Sequence, residues 1–515
     1  MDERQEIEEK CVFRGEWKME RKTNFHLKAV RYLPLVCLLL YIGLNLFLLM
    51  RHENWRDEAQ AWQIAKNLGI KELFQQLRFE GHPCLWYLLL MPFAKLGVPF
   101  SCMGFISLAL MAASVWIFLK KAPFAWPVKI ILAFGSFFVY YYPVIARSYS
   151  MIPLVLFWLA MLYPERKKRG IEYGTALAVM TQIHVYMVGL SFLLSLCWLC
   201  ETVWDCWRDK ELIHKRVFLP SAAGLGLSFA SGLFLIWELA GSLNLNPGIH
   251  INISSSFSYN LYRISVGSQW AVDNAFGIGL SDQAWKAVLV LVFVGLVILF
   301  WLSWKEALIF TGTVLIQVLM FTYIYLSSEQ KAMILVHELI FLLWIIFEKY
   351  RITGKKGWKM QSIGWQICLV TLSLIAANGH AWKIRQDIEQ PYSAGEDAAE
   401  YIRMELPEEE LLIAAGDVGA FSIAAYLPER EIWYPLTEEP VTFAVWNEER
   451  LESIEYEEML LRVKKRYPQA SEICLICSGT NNISGLDQHL SEMEEIFHQD
   501  AMLQEESVTL YRVEF

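Results

Sequence analysis

The sequence predicts a mainly α, polytopic membrane protein that ends in a soluble α/β domain, and three observations carry that reading. Hydrophobic residues make up 55% of the 515 residues, and aromatic residues 14%. Apolar windows near twenty residues, the length that spans a bilayer core, recur along the chain with few charges. Charge is also divided: up to Gly379 there are 35 Lys and Arg against 25 Asp and Glu, whereas His380 to Phe515 carries 10 against 29. A basic membrane module is therefore followed by an acidic one, in a chain too long for a single hydrophobic core.

Each element follows from local pattern. Residues 1–31 are a charged N-terminal segment. The first apolar run, Leu33 to Met50, has spanning length and no small-residue cleavage site behind it, so it is expected to stay as an anchor. Further runs near 100–119, 127–145, 148–163, 171–183, 185–204, 217–240, 287–303, 306–326, 332–348 and 361–378 raise the expected number of crossings to about eleven, with 171–204 readable as one helix or two. Lys and Arg collect at the N-terminus and in 120–129, 165–169, 208–216 and 348–359. The positive-inside rule puts those loops and the N-terminus in the cytoplasm of a bacterial-looking plasma-membrane protein. The 51–99 loop, the 241–285 loop and the tail then lie outside.

The first outer loop is expected to be helical. "DEAQAWQIAKNLGIKELFQQL" spaces Trp62, Ala65, Leu68, Leu73 and Leu77 along one face, and "HPCLWYLLLMPFAKLGV" is apolar but interrupted by Pro83 and Pro92. Both suit the membrane interface better than a crossing. The boundary between membrane module (32–379) and outer domain (380–515) is set by the change in charge. In the tail, helical patterns at 396–405, 418–427 and 451–466 alternate with short apolar strands at 411–415, 431–434, 472–478 and 507–513, an α/β arrangement.

Charged groups near membrane depth are costly and usually face a cavity or a partner. On the outer side they are few: Arg51, Arg56, Asp57, Glu58, Glu80, His82, Arg147, His184, Lys331, His337 and Glu338. A carboxylate held there can accept a proton from a hydroxyl, while Arg or Lys can hold phosphate oxygens. Together they suit displacement of a lipid-linked phosphate by an acceptor hydroxyl. Plainer readings stand beside this one. Asn54 can cap the following helix, with the acids of its first turn favoured by the helix dipole. His184 can be a hydrogen-bonded core residue, His82 can start a helix, Arg147 can anchor at the interface, and Lys331 can snorkel to headgroups.

Four segments, "RDEAQAWQIAKN", "FEGHPCLWYLLL", "ARSYSMIPLVL" and "TQIHVYMVGL", resemble in kind and order the GT-C membrane glycosyltransferases. The likeness is to the bacterial branch similar to protein mannosyltransferases and the lipid A aminoarabinose transferase. "RQDIEQPYSAGEDAAEYI", "YLPEREIWYP" and "FAVWNEER" resemble the outer domains of that branch, so the resemblance covers most of residues 30–450. It implies an inverting transfer from a polyprenyl-phosphate sugar donor to a hydroxyl or amine on a lipid, glycan or protein. It places the acidic position of the first loop, the catalytic base or acceptor-orienting group, on Asp57 with Glu58 beside it, a cavity-shaping pair on His82 and Pro83, and donor or substrate contacts on Arg56, Arg147, Tyr149, His184 and Tyr186. Where the branch carries Arg-His, this chain reads "EQKAMILVHEL", which makes Lys331 and His337 the nearest candidates and replaces a bidentate clamp by a point charge.

Other signals are weak. Cys474 and Cys477 form a C-x-x-C inside an expected buried strand, and "NIS" at 252 and 482 matches a glycosylation acceptor by chance frequency. "HEL" at 337 lacks the second His of a zinc protease helix. There is no phosphate-binding Gly loop, dinucleotide fingerprint or nucleic-acid patch. No cofactor is certain, and a divalent metal beside the carboxylate pair stays open. The rival reading is a multi-pass lipid or glycolipid transporter, for which paired, broken helices in two repeated halves would be the sign.

Overall fold

The computed structural model describes residues 31–208, 218–241, 253–353, 358–446, 453–479 and 481–514. The charged N-terminal segment and Asn252 of the first "NIS" lie outside the described residues. Among the described residues, seven helices are long and apolar enough to cross a membrane. They are α1 (Arg31–Leu49), a stretch from Phe100 that contains α5 (Met103–Lys121), α9 (Val188–Arg208), α10 (Phe218–Glu238), α12 (Asp282–Tyr323), α13 (Glu329–Thr353) and α14 (Trp358–Glu389).

The apolar runs predict about eleven crossings, and the described residues hold these seven candidate spans. Two of the expected crossings, 287–303 and 306–326, are the two halves of the 42-residue α12, in which two helices meet at a kink at Ser303 (φ −152°, ψ 84°). Three others are too short: α6 (Trp126–Ala133), α7 (Met151–Leu162) and α8 (Gly170–Thr181) have 8, 12 and 12 residues. At 1.5 Å per residue these reach about 12–18 Å, well under the roughly 30 Å of a bilayer core. Their apolar sequences reflect enclosure, since α7 buries nine of its residues inside the bundle. The 241–285 loop also differs from expectation. It contains α11 (Phe257–Phe276), capped by the Ser256 hydroxyl at one end and ended by Gly277 in the left-handed region (φ 62°) at the other. This helix packs against α12 and α13.

The first outer loop folds into three helices, α2 (Arg56–Asn67), α3 (Ile70–Glu80) and α4 (Leu85–Lys95). The single helical pattern read at 57–77 is broken at Leu68–Gly69, where the backbone turns extended. Asn54 does not cap α2. Its backbone N–H donates to the Tyr426 hydroxyl (2.9 Å) and its amide to the Phe100 carbonyl (3.1 Å). The Glu58 carboxylate accepts instead from the Trp55 N–H (3.0 Å), closing the helix start from within.

The C-terminal domain follows α14, which continues as one helix through Gly379 to Glu389. It contains α15 (Gly395–Glu405), β1 (Leu412–Ala414), α16 (Asp417–Tyr426), β2 (Ile432–Tyr434), β3 (Glu439–Pro440), β4 (Ile454–Glu455), α17 (Tyr456–Arg466), β5 (Glu472–Ser478), β6 (Ile483–Ser484), β7 (Glu494–Gln499) and β8 (Val508–Glu514). Six of the strands form one mixed sheet in the order β3-β2-β1-β5-β8-β7, parallel between β2, β1 and β5 and antiparallel elsewhere. The period-two alternation divides the central strands between two cores. Leu412, Ala414, Cys474 and Ile476 join the large core shared with the membrane module, whereas Ile413, Ile473, Leu475 and Cys477 pack with Met459 and Val463 of α17. Cys474 and Cys477 therefore sit on opposite faces of β5 as buried free thiols, with burial pushing each up to about 12. A C-x-x-C in a strand cannot close on itself.

Domain and membrane module are joined by side chains of the first loop. The Gln60 amide donates to the Ala444 carbonyl (2.9 Å) and accepts from the Ala444 N–H (2.7 Å), and Gln76 donates to the same carbonyl (2.8 Å). Helix α16 packs directly on α2.

Within the bundle, α8 and α10 approach through glycines. A Cβ built on Gly174 would run into the backbone of Gly224, and one on Gly224 into the backbone of Gly170. Small residues four apart permit this contact. Replacing Gly174 by Val is expected to separate the helices and destabilise the protein by about 1–3 kcal/mol or more, measured as a lower thermal midpoint in detergent. An unchanged midpoint would refute the close approach.

Candidate functional site

Two cavities meet at one ion pair. The larger, ≈420 Å³, lies between the first loop and the C-terminal domain and is lined by Asp57, Gln60, Glu80, Trp86, Phe421 and Trp446, among others. The smaller, ≈250 Å³, is lined by Tyr140, Tyr149, His184, Tyr186, Lys331 and Lys383, among others. Asp57, His82, Arg147 and Tyr325 line both. At the junction the Arg147 guanidinium is paired with the Asp57 carboxylate, the Arg side chain 15% exposed and the Asp side chain 40%.

Local structure sets this pair. Asp57 is in the first turn of α2, while Arg147 ends an irregular buried stretch, 134–147, where the sequence predicts a crossing up to residue 145. Tyr140 in that stretch has φ +74°, a region that a bulky side chain enters at a cost of about 1–3 kcal/mol. The bend is held by the Tyr140 N–H donating to Asn45 (3.1 Å) and the Val144 N–H donating back to the Tyr140 carbonyl (2.9 Å). It turns Tyr140 and Tyr141 into the smaller cavity.

Electrostatics follow from the pairing. Burial raises the Asp57 pKa, but Arg147, with Arg56 behind it, outweighs burial and holds the carboxyl below its usual range. His82 is pushed down to about 3 by burial and by Arg147 and Lys331, so it is neutral. His184 is likewise lowered by burial and by neighbouring His82, Lys331 and Arg147. Its Nδ1 accepts from the Tyr186 N–H (3.3 Å), which places the ring proton on Nε2.

The sequence-predicted residues separate into three groups. Asp57, His82, Arg147, Tyr149, His184 and Lys331 are brought together around the cavities. The Lys331 ammonium donates to the Leu326 carbonyl (3.1 Å) and lies over the Tyr325 ring. Arg56 borders the larger cavity but is bound to the C-terminal domain through Glu505 (2.5 Å) and Glu506 (3.4 Å). Glu58 and His337 line neither cavity. Glu58 is fully buried and accepts from the Trp55 and Ala146 amides. His337 is packed between Phe138 and Tyr142, with Nδ1 against the Met333 carbonyl (3.0 Å) one turn earlier. The helical i, i−4 contact and the flanking rings hold it in the core.

Sequence reasoning left several lining residues out of the site. Tyr325 and Lys383 carry no local signature, and Trp446 belongs to a domain brought in from far along the chain. Glu80 was legible only as a charge. Its carboxylate accepts from Gln76 (2.7 Å), Gln60 (2.8 Å) and the Tyr87 hydroxyl (3.4 Å), and burial, opposed by those bonds, raises it to about 7. Among the described residues no group of three or more His, Cys, Asp or Glu is arranged to hold a metal.

A carboxyl raised in the folded state costs stability above its folded pKa, and that cost disappears as pH falls through about 7 toward 4.5. Glu80→Gln is therefore expected to raise the thermal midpoint relative to wild type at pH 8 and to leave it unchanged below pH 5, read by a pH series of melting curves.

No protein-family model matches the sequence, and no curated protein does. Among solved structures the chain is similar to ArnT from Cupriavidus metallidurans bound to undecaprenyl phosphate, at 11% identity and TM-score 0.43, over 94% of this chain and 97% of that one. It is similar also to the same protein in the apo state, at 11% identity and TM-score 0.40, over 95% and 98%.

Proposed function

We propose that this membrane protein is a glycosyltransferase that moves a sugar from a polyprenyl-phosphate donor to an acceptor hydroxyl or amine at the outer face of the membrane. One observation carries the reading: two chemically different cavities share the Asp57–Arg147 pair as their common wall. The smaller is ringed by Arg147, Lys331, Lys383 and tyrosine hydroxyls, chemistry that holds a phosphate and the sugar attached to it. The larger is lined by Trp86, Trp446, Gln60 and Glu80, aromatic faces and polar groups suited to an acceptor sugar or headgroup.

Orientation is supported by the helix ends. The site residues Lys331 and His184 sit at or just before the starts of α13 and α9, whose far ends carry Arg351 and Arg208. Lys120 and Lys121 end α5 far from Phe100, which contacts Asn54 beside the site. The basic ends thus lie opposite the cavities, as the positive-inside rule requires of a site facing outward.

Chemistry follows from the junction. The acceptor oxygen in the larger cavity attacks the anomeric carbon held at the wall, and the bond from that carbon to the phosphate oxygen breaks. Asp57, ionised at rest, takes the acceptor proton. Negative charge grows on the departing phosphate and draws Arg147 toward it, which weakens the pairing that depresses Asp57 and makes the carboxylate a better base as the bond forms. Lys331 adds charge on the same side, and the His184 Nε2–H is a neutral donor. Attack from the opposite cavity inverts the anomeric configuration.

Protein in lipid nanodiscs, incubated with a panel of radiolabelled polyprenyl-phosphate sugars and envelope glycolipids, tests this. Asp57→Asn is expected to reduce transfer by about 10²–10⁴-fold and Arg147→Gln by about 10²–10³-fold, with the exposed Glu405→Gln unchanged. Movement of the lipid across the bilayer without sugar transfer would refute the reading in favour of a transporter.

A further inference from the structure

A second set of charges lies directly behind the catalytic pair and touches neither cavity. His52, three residues beyond α1, is buried with its Nδ1 2.9 Å from the Asp387 carboxylate in the last turn of α14. Its Nε2 is 3.6 Å from Glu58. The other Glu58 oxygen accepts the Ala146 N–H at 2.5 Å. Glu58 is the neighbour of Asp57, and Ala146 the neighbour of Arg147. The side-chain pair that joins the cavities is therefore doubled, one residue over, by a carboxylate-to-amide bond, and that second link is anchored to the end of the last membrane helix.

We propose that His52 and Asp387 are positioning residues: together they form a buried ionic brace that fixes Glu58, and through the Ala146 amide holds Asp57 and Arg147 in reacting geometry. This deepens the glycosyltransferase reading and rests on it for its kinetic arm only.

Physical reasoning favours a charged brace over a neutral one. Two carboxylates, Asp387 and Glu58, are buried with side chains 3% and 0% exposed, and one imidazole lies between them. Without a proton on both ring nitrogens, one carboxylate would be buried facing a lone pair. Burial alone would lower His52, but Asp387 and Glu58 overcome it and raise the ring to about 10. The groups facing His52 are Asp387 from α14, Glu58 from α2, the adjoining Glu53, and the Tyr140 and Tyr392 rings at 6.4 and 4.7 Å. No second cation is among them. Tyr140 also lines the smaller cavity, so the imidazole packs against the strained bend as well as against the link.

The brace also joins distant parts of the chain. His52 follows the first membrane helix, and Asp387 precedes the outer domain by eight residues. A shift of α14 relative to α1 would move Glu58 and so the reacting pair.

The test uses the full-length protein in nanodiscs with His52→Gln, Asp387→Asn and the double variant, and it has two arms. In the first, thermal midpoints are followed from pH 6 to 10.5. A His raised on folding stabilises fully below its unfolded pKa near 6.5 and loses that contribution as pH rises through about 10. The wild-type midpoint is expected to fall across that window by more than that of His52→Gln, and the double variant to be no worse than the sum of the singles. Parallel pH curves for wild type and His52→Gln would overturn the charged brace, whether or not any sugar is transferred. In the second arm, with a donor that the wild type uses, both single variants are expected to lose kcat by about 10- to 100-fold while the donor KM changes less than threefold, because neither residue reaches a cavity. Asp387→Glu, which restores the charge, is expected to recover kcat at least partly. Wild-type kcat in folded His52→Gln and Asp387→Asn would overturn the positioning role. A wild type that transfers no sugar refutes the glycosyltransferase reading, and the first arm then decides the brace alone.

Discussion

The organisation of this protein depends on keeping a carboxylate and a guanidinium together where two cavities meet, the guanidinium largely covered and the carboxylate 40% exposed. The covered ion loses part of its hydration, so the pair depends on further hydrogen bonds and shape to fix it. Asp57 and Arg147 come from segments ninety residues apart, and neither segment is held by the pair alone. Helix α2 is closed by Glu58, the bend at Tyr140 is clamped by Asn45, and Glu58 then joins the two at Ala146. Fixed charge at a boundary between two cavities is the kind of environment that stabilises a transition state without rearranging solvent.

The same pairing reconciles two requirements of a base. A carboxylate must be ionised before the reaction and basic during it. Arg147 secures the first in the resting protein, and in the proposed reaction its attraction to a departing phosphate would supply the second. His82 and His184, kept neutral by burial and by the cations around them, add hydrogen-bonding capacity without adding positive charge that would depress Asp57 further.

Much of this was legible in the residues, and the exceptions have physical causes. The strands at 412–414, 432–434 and 472–478 were readable because parallel, doubly buried strands appear as short apolar runs. Asp57, Arg147 and His184 were legible as polar groups stranded at the ends of apolar segments. The apolar runs at 127–145, 148–163 and 171–183 hold only short helices because an apolar run reports burial of any kind, and α7 buries nine of its twelve residues within the protein. Helix α11 escaped because Arg263, Asp273 and its serines dilute its hydrophobicity. Glu58 and Asp57 were indistinguishable in sequence; one helical step of about 100° turns the first into the core and leaves the second at the cavity. His52 and Asp387 carried no signal, since a contact across 335 residues leaves no local trace.

The bonds from Arg56 to Glu505 and Glu506 span nearly the whole chain, 449 and 450 residues in sequence. A ribosome adding roughly 5–20 residues per second needs on the order of half a minute to a minute and a half to cover that interval. During that time the first loop is already made and its terminal partners do not yet exist. The tie from the first loop to the far end of the C-terminal domain can close only once Glu505 and Glu506 have been made, so a product cut short before them would leave Arg56, at the rim of the larger cavity, without its two carboxylates.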